Sequence, residues 1–287
     1  MPTPRRVTSL LLLAALQVPA SDAAEYARPE LLVEPAVLGS IEGDVVLLDA
    51  RSAEDYAAGH LPGALHADAY AWRDAFGAGD DPAAWGERIG ALGVGDATTV
   101  VVYDQALTGA ATRVWWILKY WGAENARVLN GGVTAWREAG RDLTRTAPPR
   151  PTPAGFHAVA HPERHATADE VLRGVGAPGE VCLLDTRSDR EVSEGKIPAA
   201  AHLEWSELVD RDTGKLLAAG ELTARLAAAG FEADKPAVTY CRSGGRAAVA
   251  AFVLEVMGAE RVSNYHGSWR EWSALPDSPV ELPKPAE

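Results

Sequence analysis

The chain has 287 residues, of which 47% are hydrophobic and 23% charged, and its formal net charge at pH 7 is −13. This length favours two domains, and the composition is that of a chain that folds around ordinary hydrophobic cores. The acidic excess argues against a nucleic-acid-binding protein, and the presence of 2 cysteines excludes a disulfide scaffold and a four-thiolate zinc site.

Residues 1–23 have the pattern of a secretory signal peptide. Arg5 and Arg6 precede an apolar stretch over residues 7–20, and small residues follow up to Ala23. The stretch is shorter than the roughly 20 residues that span a bilayer. We therefore expect cleavage near Ala23 and export, to the periplasm in a Gram-negative source, with no membrane association of the mature chain. The alternative is a buried N-terminal helix.

The rest of the chain repeats itself. Residues 46–52 return as residues 182–188, which is 136 positions later, and residues 130–136 return as residues 266–272 at the same offset. Such a long-period repeat indicates a duplicated structural unit.

Between the two copies lies a proline-rich segment, which cannot continue a helix or a central strand. We predict an N-terminal domain over residues 24–145, a linker over 146–160 and a C-terminal domain over 161–287.

Within each copy, short apolar runs alternate with longer helical patterns. The predicted strands cover residues 45–49, 99–103, 127–129, 181–185, 237–240 and 261–263, and two of the predicted helices cover residues 110–121 and 246–258. This alternation predicts an α/β fold in which each copy has a mostly parallel sheet covered by helices on both faces. Ligand sites in such sheets lie at the carboxyl ends of the strands.

The sharpest chemical signal is Cys241, which stands where a predicted strand ends. Gly244 and Gly245 allow a tight turn, and a helix is predicted to begin at about Arg246. Backbone N–H groups and the positive end of the helix would form an anion nest that favours a nucleophilic thiolate. The alternative is a buried, inert thiol.

The equivalent residue in the first copy is Asp104, so that copy has no thiol nucleophile. A carboxylate there is best interpreted as a helix cap. Arg187, after the strand that ends at Asp185, is expected to reach the edge of the sheet near Cys241 and bind an anionic substrate. The alternative for Arg187 is a surface ion pair, and its counterpart Arg51 is expected to be structural.

No metal or cofactor is predicted. The 7 histidines are scattered and form no His-Glu-x-x-His motif, and no Cys-x-x-Cys pair is present. Cys182 is expected to be a small core residue.

These motifs resemble the tandem-domain rhodanese sulfurtransferases over nearly the whole mature chain. Residues 56–64 resemble the first family signature and residues 262–272 the second. The resemblance implies two tandem rhodanese-like domains, an inactive N-terminal one and a catalytic C-terminal one that carries sulfur on Cys241. It also implies that substrate is bound by Arg187 and by the active-site loop, namely Arg242, Ser243, Gly244, Gly245 and Arg246.

Three positions depart from the family pattern: Lys196, Ala199 and His266. The loop also bears on the donor, because mercaptopyruvate-specific members carry Cys-Gly-Ser-Gly. Here Arg242 follows Cys241, which is closer to thiosulfate-specific members and suits a compact dianion. The Gly245-Arg246 pair resembles the loops of single-domain rhodaneses.

The leading hypothesis is transfer of sulfane sulfur from thiosulfate to a thiophilic acceptor, cyanide or a thiol, through a Cys241 persulfide, by a monomer without a cofactor. One alternative is a 3-mercaptopyruvate sulfurtransferase. Another is a non-enzymatic persulfide carrier. A rhodanese-fold phosphatase is disfavoured, because those enzymes use Cys-x5-Arg and the Cys-x4-Arg loop here is tighter.

Overall fold

The computed structural model describes residues 25–232 and 234–282 of the chain. The predicted signal peptide lies outside these described residues. Two separate sheets are present, one in each copy of the repeat, and every strand pair in both sheets is parallel.

The first sheet has five strands in the order β1-β5-β4-β2-β3. Its strands are β1 (Leu32–Val33), β2 (Val45–Asp49), β3 (Leu65–His66), β4 (Thr99–Tyr103) and β5 (Ala126–Leu129). The accompanying helices are α1 (Ala53–Ala58), α2 (Ala69–Phe76), α3 (Pro82–Gly90), α4 (Gly109–Tyr120) and α5 (Gly132–Glu138).

The second sheet has four strands in the order β7-β6-β8-β9, which repeats the first sheet without β1. Its strands are β6 (Cys182–Asp185), β7 (Ala201–His202), β8 (Ala237–Tyr240) and β9 (Val262–Asn264). The helices are α6 (Ala168–Gly176), α7 (Asp189–Ser193), α8 (Ala219–Ala228), α9 (Gly245–Val256) and α10 (Ser268–Trp272).

The predicted α/β fold is confirmed. All six predicted strands are present, with ends within one residue of the prediction, and α4 and α9 begin one residue earlier than predicted. The strands that were not predicted, β1, β3 and β7, have two residues each. A two-residue strand is too short to leave a hydrophobic pattern in the sequence.

Helices cover both faces of the first sheet, because alternate residues of β4 enter two different cores. Val100 and Val102 belong to a large core, whereas Val101 and Tyr103 pack in a smaller one with Trp136. Side chains of a strand alternate between faces, so a strand buried on both sides is apolar throughout.

The large core continues from one copy into the other, and α4 and α9 lie at its centre. These twin helices pack against each other. Ten of the twelve residues of α4 and eleven of the twelve of α9 are buried, as expected for helices that are covered all round. The ring of Trp115 in α4 meets that of Phe252 in α9 edge-on at 4.9 Å.

The helix pair is closest at its N-terminal ends. A Cβ added to Gly109, the first residue of α4, would lie 2.9 Å from the carbonyl carbon of Gly245, the first residue of α9, and 3.1 Å from the nitrogen of Arg246. Glycine at this position therefore sets how closely the loop before α9 approaches the first copy.

The proline-rich segment over residues 146–160 forms neither helix nor strand. Backbone hydrogen bonds hold it to the first copy, from the N–H of Ala154 to the carbonyl of Gly90 and from the N–H of Val159 to that of Trp121. Within the described part of the chain, no helix is long and apolar enough to cross a membrane.

We expect Gly109→Ala to destabilise the protein by about 1–3 kcal/mol, because the new methyl group overlaps the backbone at the start of α9. Urea unfolding measures the effect. Gly220→Ala is the matched control: Gly220 lies in the first turn of α8 with open space around its Cα, and this change should be neutral or stabilising by up to about 1 kcal/mol. Equal stability of the two variants would contradict the close approach of the helices.

Candidate active site

Cys241 is the first residue after β8 and lies at the carboxyl edge of the second sheet. It is only 1% exposed. Gly244 then adopts a left-handed conformation with φ 83°, which lets α9 begin at Gly245. The N–H of Ser243 points at the Cys241 sulfur over 3.4 Å. The sulfur therefore sits at the positive N-terminal end of a twelve-residue helix.

Ser268 holds this loop in shape. Its hydroxyl accepts hydrogen bonds from the N–H groups of Cys241 and Gly244, at 3.1 and 3.0 Å, and donates to the carbonyl of Tyr265 at 2.7 Å. Ser268 is fully buried and has φ 56°, a conformation that costs a non-glycine residue about 1–3 kcal/mol. The equivalent residue in the first copy is Gly132, with φ 52°. The second copy therefore has a serine in place of the glycine, and the serine hydroxyl bonds to the cysteine loop.

Arg246 faces the loop from the first turn of α9. Its guanidinium forms a bidentate pair with Glu191, with N–O distances of 2.6 and 2.8 Å. Glu191 also completes the capping box of α7 with Ser188. The bond from Arg246 lowers the pKa of Glu191 to about 2. Glu191 in turn raises the pKa of Arg246 against the effect of burial, and the nearby Cys241 sulfur acts in the same direction.

Cys241 opens into a cavity of about 310 Å³ whose wall comes from both copies of the repeat. The second copy contributes Cys241, Arg242, Ser243, Gly245 and Arg246. The first copy contributes Ala69, Tyr70, Thr108, Gly109, Ala110 and Arg113. Four of the predicted binding residues, Arg242, Ser243, Gly245 and Arg246, thus line the cavity beside the cysteine. Gly244 provides the turn before α9.

The expectation that Arg187 binds substrate is corrected by its surroundings. Its guanidinium is buried in a bidentate pair with Asp185, with a shortest distance of 2.6 Å, and donates to the carbonyl of Gly195 at 2.8 Å. The ring of Trp269 covers it at 4.3 Å, and Arg187 does not line the cavity. Its donors are committed within the protein, so Arg187 is structural.

The first copy gives an internal control for this correction. Arg51 makes the same contacts, a bidentate pair with Asp49 at 2.6 Å and a bond to the carbonyl of Gly59 at 2.7 Å. A contact set that recurs in the copy without a cysteine serves the fold that both copies share. The repeated Asp-x-Arg pattern was the sequence signal for this role.

Asp104 occupies the anion nest of the first copy. Its carboxylate accepts hydrogen bonds from the N–H groups of Thr108 and Ala111, at 3.1 and 2.9 Å, and from the Thr108 hydroxyl. The nest at the start of α4 is therefore filled by the chain's own carboxylate. Burial nevertheless raises the pKa of Asp104 to about 6, despite these donors.

Sequence reasoning missed four residues around the cysteine. Glu191 and Ser268 shape the loop, and Tyr70 and Arg113 come from the first copy. The replacement of Gly132 by Ser268 between the aligned copies was a usable signal. Arg113 had none, because its partner Ser243 is 130 residues away in the chain.

Neither His266 nor Cys182 lines the cavity that holds Cys241. His266 is stacked on Trp116 at 5.2 Å, and burial lowers its pKa to about 3, which leaves the ring neutral. Both cysteines are free thiols, and burial raises the pKa of Cys182. Across the described residues, no three metal-ligating side chains converge. A thiol among guanidinium and N–H groups is suited to attack on a small anion.

The chain is similar to known proteins over most of its length. A family model described as a rhodanese-like domain matches residues 36–139 and 167–275. The thiosulfate sulfurtransferase of Azotobacter vinelandii is 33% identical over 276 residues, covering 90% of this chain and 99% of that protein. The sulfur carrier protein TtuD of Thermus thermophilus is 32% identical over 295 residues, with coverages of 89% and 98%. The 3-mercaptopyruvate sulfurtransferase of Escherichia coli is 32% identical over 248 residues, with coverages of 81% and 87%.

We expect Arg187→Met and Arg51→Met to destabilise the protein by similar amounts, about 3–5 kcal/mol each, because each change leaves a buried aspartate without its partner. Urea unfolding of the two variants gives the comparison. The Michaelis constant for thiosulfate should change little in folded Arg187→Met. A raised constant with unchanged stability would return Arg187 to the substrate site.

Asp104 should make stability depend on pH. Its pKa in the folded protein, about 6, lies above the ordinary value of 3.8, so its contribution is fully present below pH 3.8 and is lost as the pH rises through 6. Relative to Asp104→Asn, which does not titrate, the wild type should lose about 2.5 kcal/mol between pH 4 and pH 7. Chemical unfolding across this range measures the difference, and parallel pH profiles would contradict the raised pKa.

Proposed function

The chain belongs to the rhodanese-like domain family, and on that premise we propose that it moves sulfane sulfur from thiosulfate to a thiophilic acceptor through a persulfide on Cys241. Sulfur transfer is the activity of this family's tandem-domain enzymes, and the relatives named above include two sulfurtransferases. The donor, the acceptor and the sulfur-carrying residue are the proposed parts.

The observation that supports the proposal most is the position of the Cys241 sulfur. It sits at the N-terminus of α9, the Ser243 N–H points at it, and Arg246 lines the same cavity. These groups stabilise negative charge on sulfur, both in the thiolate and in the persulfide that replaces it.

In the first step, the Cys241 thiolate attacks the outer, sulfane sulfur of thiosulfate. A new S–S bond forms to Cys241 while the S–S bond of thiosulfate breaks, and sulfite leaves with the bonding electron pair. The three negative charges of the reactants are conserved, one on the persulfide and two on sulfite. No proton and no external oxidant is needed.

In the second step, the acceptor attacks the terminal sulfur of the persulfide. With cyanide, a carbon–sulfur bond forms while the S–S bond to Cys241 breaks. Thiocyanate leaves, and the bonding electron pair regenerates the Cys241 thiolate. Splitting one displacement into two covalent steps gives ping-pong kinetics.

Charge at the cavity favours thiosulfate over 3-mercaptopyruvate as donor. Arg242 follows the cysteine directly, is exposed at the cavity wall and adds a cation to those of Arg113 and Arg246. A compact dianion gains more from such clustered cations than a monocarboxylate does.

A second candidate is a sulfur carrier that hands the persulfide to a partner protein. It is favoured by the similarity over nearly full length to a protein named as a sulfur carrier. It would use the same Cys241 persulfide but would turn over slowly with small acceptors.

The test is thiocyanate formation from cyanide with thiosulfate or 3-mercaptopyruvate as donor, for the wild type and for Cys241→Ser. We expect turnover with thiosulfate to exceed that with mercaptopyruvate by about tenfold or more, and Cys241→Ser to abolish both. Intact-mass spectrometry after incubation with thiosulfate should show one added sulfur atom on the wild type.

Each outcome separates the candidates. A preference for 3-mercaptopyruvate would change the proposed donor and leave the proposed persulfide chemistry in place. An added sulfur atom without thiocyanate turnover would favour the carrier. Turnover that survives Cys241→Ser would refute the assignment of the nucleophile. Cys182→Ser is the matched cysteine control and should leave turnover unchanged.

A further inference from the structure

Arg113 brings a buried positive charge from the first copy to the cysteine of the second. It lies in the second turn of α4, is 5% exposed and lines the cavity that holds Cys241. Its Nη2 donates to the carbonyl of Ser243 at 2.7 Å. The guanidinium thereby contacts the cysteine loop across the junction between the two copies.

The guanidinium lies directly against the backbone of the loop. A Cβ added to Gly245 would come within 2.6 Å of Nη2 and 3.0 Å of the central guanidinium carbon. The absence of a side chain at Gly245 is therefore what admits Arg113 to the cavity. This close approach places a fixed cation beside the N-terminus of α9, where an anion would bind.

Arg113 has few partners for a buried cation. Among residues 25–232 and 234–282, its only hydrogen bond is the one to Ser243, and its buried Nε has no partner. The nearby carboxylate of Asp74 is paired with Arg73 at 2.6 Å. The ring of Tyr70, 5.6 Å away, gives partial compensation. A buried guanidinium without a carboxylate is costly, and a bound anion relieves this cost.

The other two arginines of the cavity are differently placed. Arg246 has a carboxylate partner, Glu191, and Arg242 is exposed to solvent. Arg113 is thus the one buried guanidinium of the described cavity wall that has no carboxylate partner. Burial lowers the pKa of Arg113 and the Cys241 sulfur opposes this effect, which is consistent with an anion site that the two residues share.

We propose that Arg113, supplied by the copy without a nucleophile, binds the anionic group of the sulfur donor and so completes the active site of the other copy. The inference rests on the proposed sulfur transfer and deepens it. In thiosulfate the group bound is the sulfonate, which becomes the leaving sulfite, so Arg113 acts on donor binding and on departure of the leaving group. The first copy is then a part of the catalytic site.

The test compares Arg113→Met, Arg113→Gln and Arg113→Lys with the wild type. The first readout is the alkylation rate of Cys241 by iodoacetate, an anion, divided by that by iodoacetamide, a neutral analogue. In the uncharged variants this ratio should fall about tenfold, because the cavity loses its unpaired cation. Arg113→Lys should keep the ratio within about twofold, since the charge remains.

The second readout is steady-state kinetics with thiosulfate. The uncharged variants should raise the Michaelis constant about tenfold and lower kcat less. Arg113→Lys should fall in between, because it retains charge and loses the planar fork. The matched control is Arg88→Met, which removes the same charge from the first copy, where Arg88 covers the ring of Trp85. It should change neither readout.

The outcomes are distinct. An unchanged alkylation ratio in either uncharged variant that folds like the wild type would overturn the proposal. So would an equal loss in all three variants, because the positive charge that lysine retains would then have no effect. If the wild type does not turn over thiosulfate, the proposed function fails, while the alkylation ratio still decides whether Arg113 binds anions beside Cys241.

Discussion

The packing of α4 against α9 couples the two copies of the repeat. It joins the cores of the two copies and fixes the start of α9 against the start of α4, where Gly109 and Gly245 meet without side chains. This contact brings the cysteine loop against the first copy. It also decides which side chains of the first copy reach the cavity. Stability and site geometry therefore share one source, and a change at this junction alters both.

Beneath the two helices, both copies use the same buried ion pair at the end of a strand. Asp49 with Arg51 and Asp185 with Arg187 each fix the strand end to the loop that follows α1 or α7. Because this support is equal in the two copies, it cannot be the origin of their chemical difference. That difference lies in the loop above it. In one copy the nest holds a carboxylate of the chain itself, and in the other it holds a thiol beside an open cavity.

Much of this arrangement was predictable from the sequence. Strands of three to five residues, the glycine turn after Cys241 and the duplicated plan all leave local patterns. The role of Arg187 was predicted wrongly because an arginine near a strand end suits both anion binding and an ion pair. In the fold, Arg187 forms the ion pair, because Asp185 lies two residues earlier. Arg113 could not be predicted, because its role depends on a junction between residues 130 positions apart. The role of Ser268 could be predicted only by comparing the two copies, because its counterpart in the first copy is Gly132.

The loop of the first copy also differs from the cysteine loop at several positions at once. From Asp104 to the start of α4 at Gly109 the chain is one residue longer than from Cys241 to the start of α9 at Gly245, and Ala110 stands where the second copy has Arg246. A cysteine introduced at Asp104 would thus meet a wider turn, without a flanking cation and without the serine that braces the other loop. A thiol nucleophile in this copy would therefore need several simultaneous changes, in loop length, in the flanking residue and in the bracing residue. Exchanging the single residue at position 104 would not exchange the roles of the two copies.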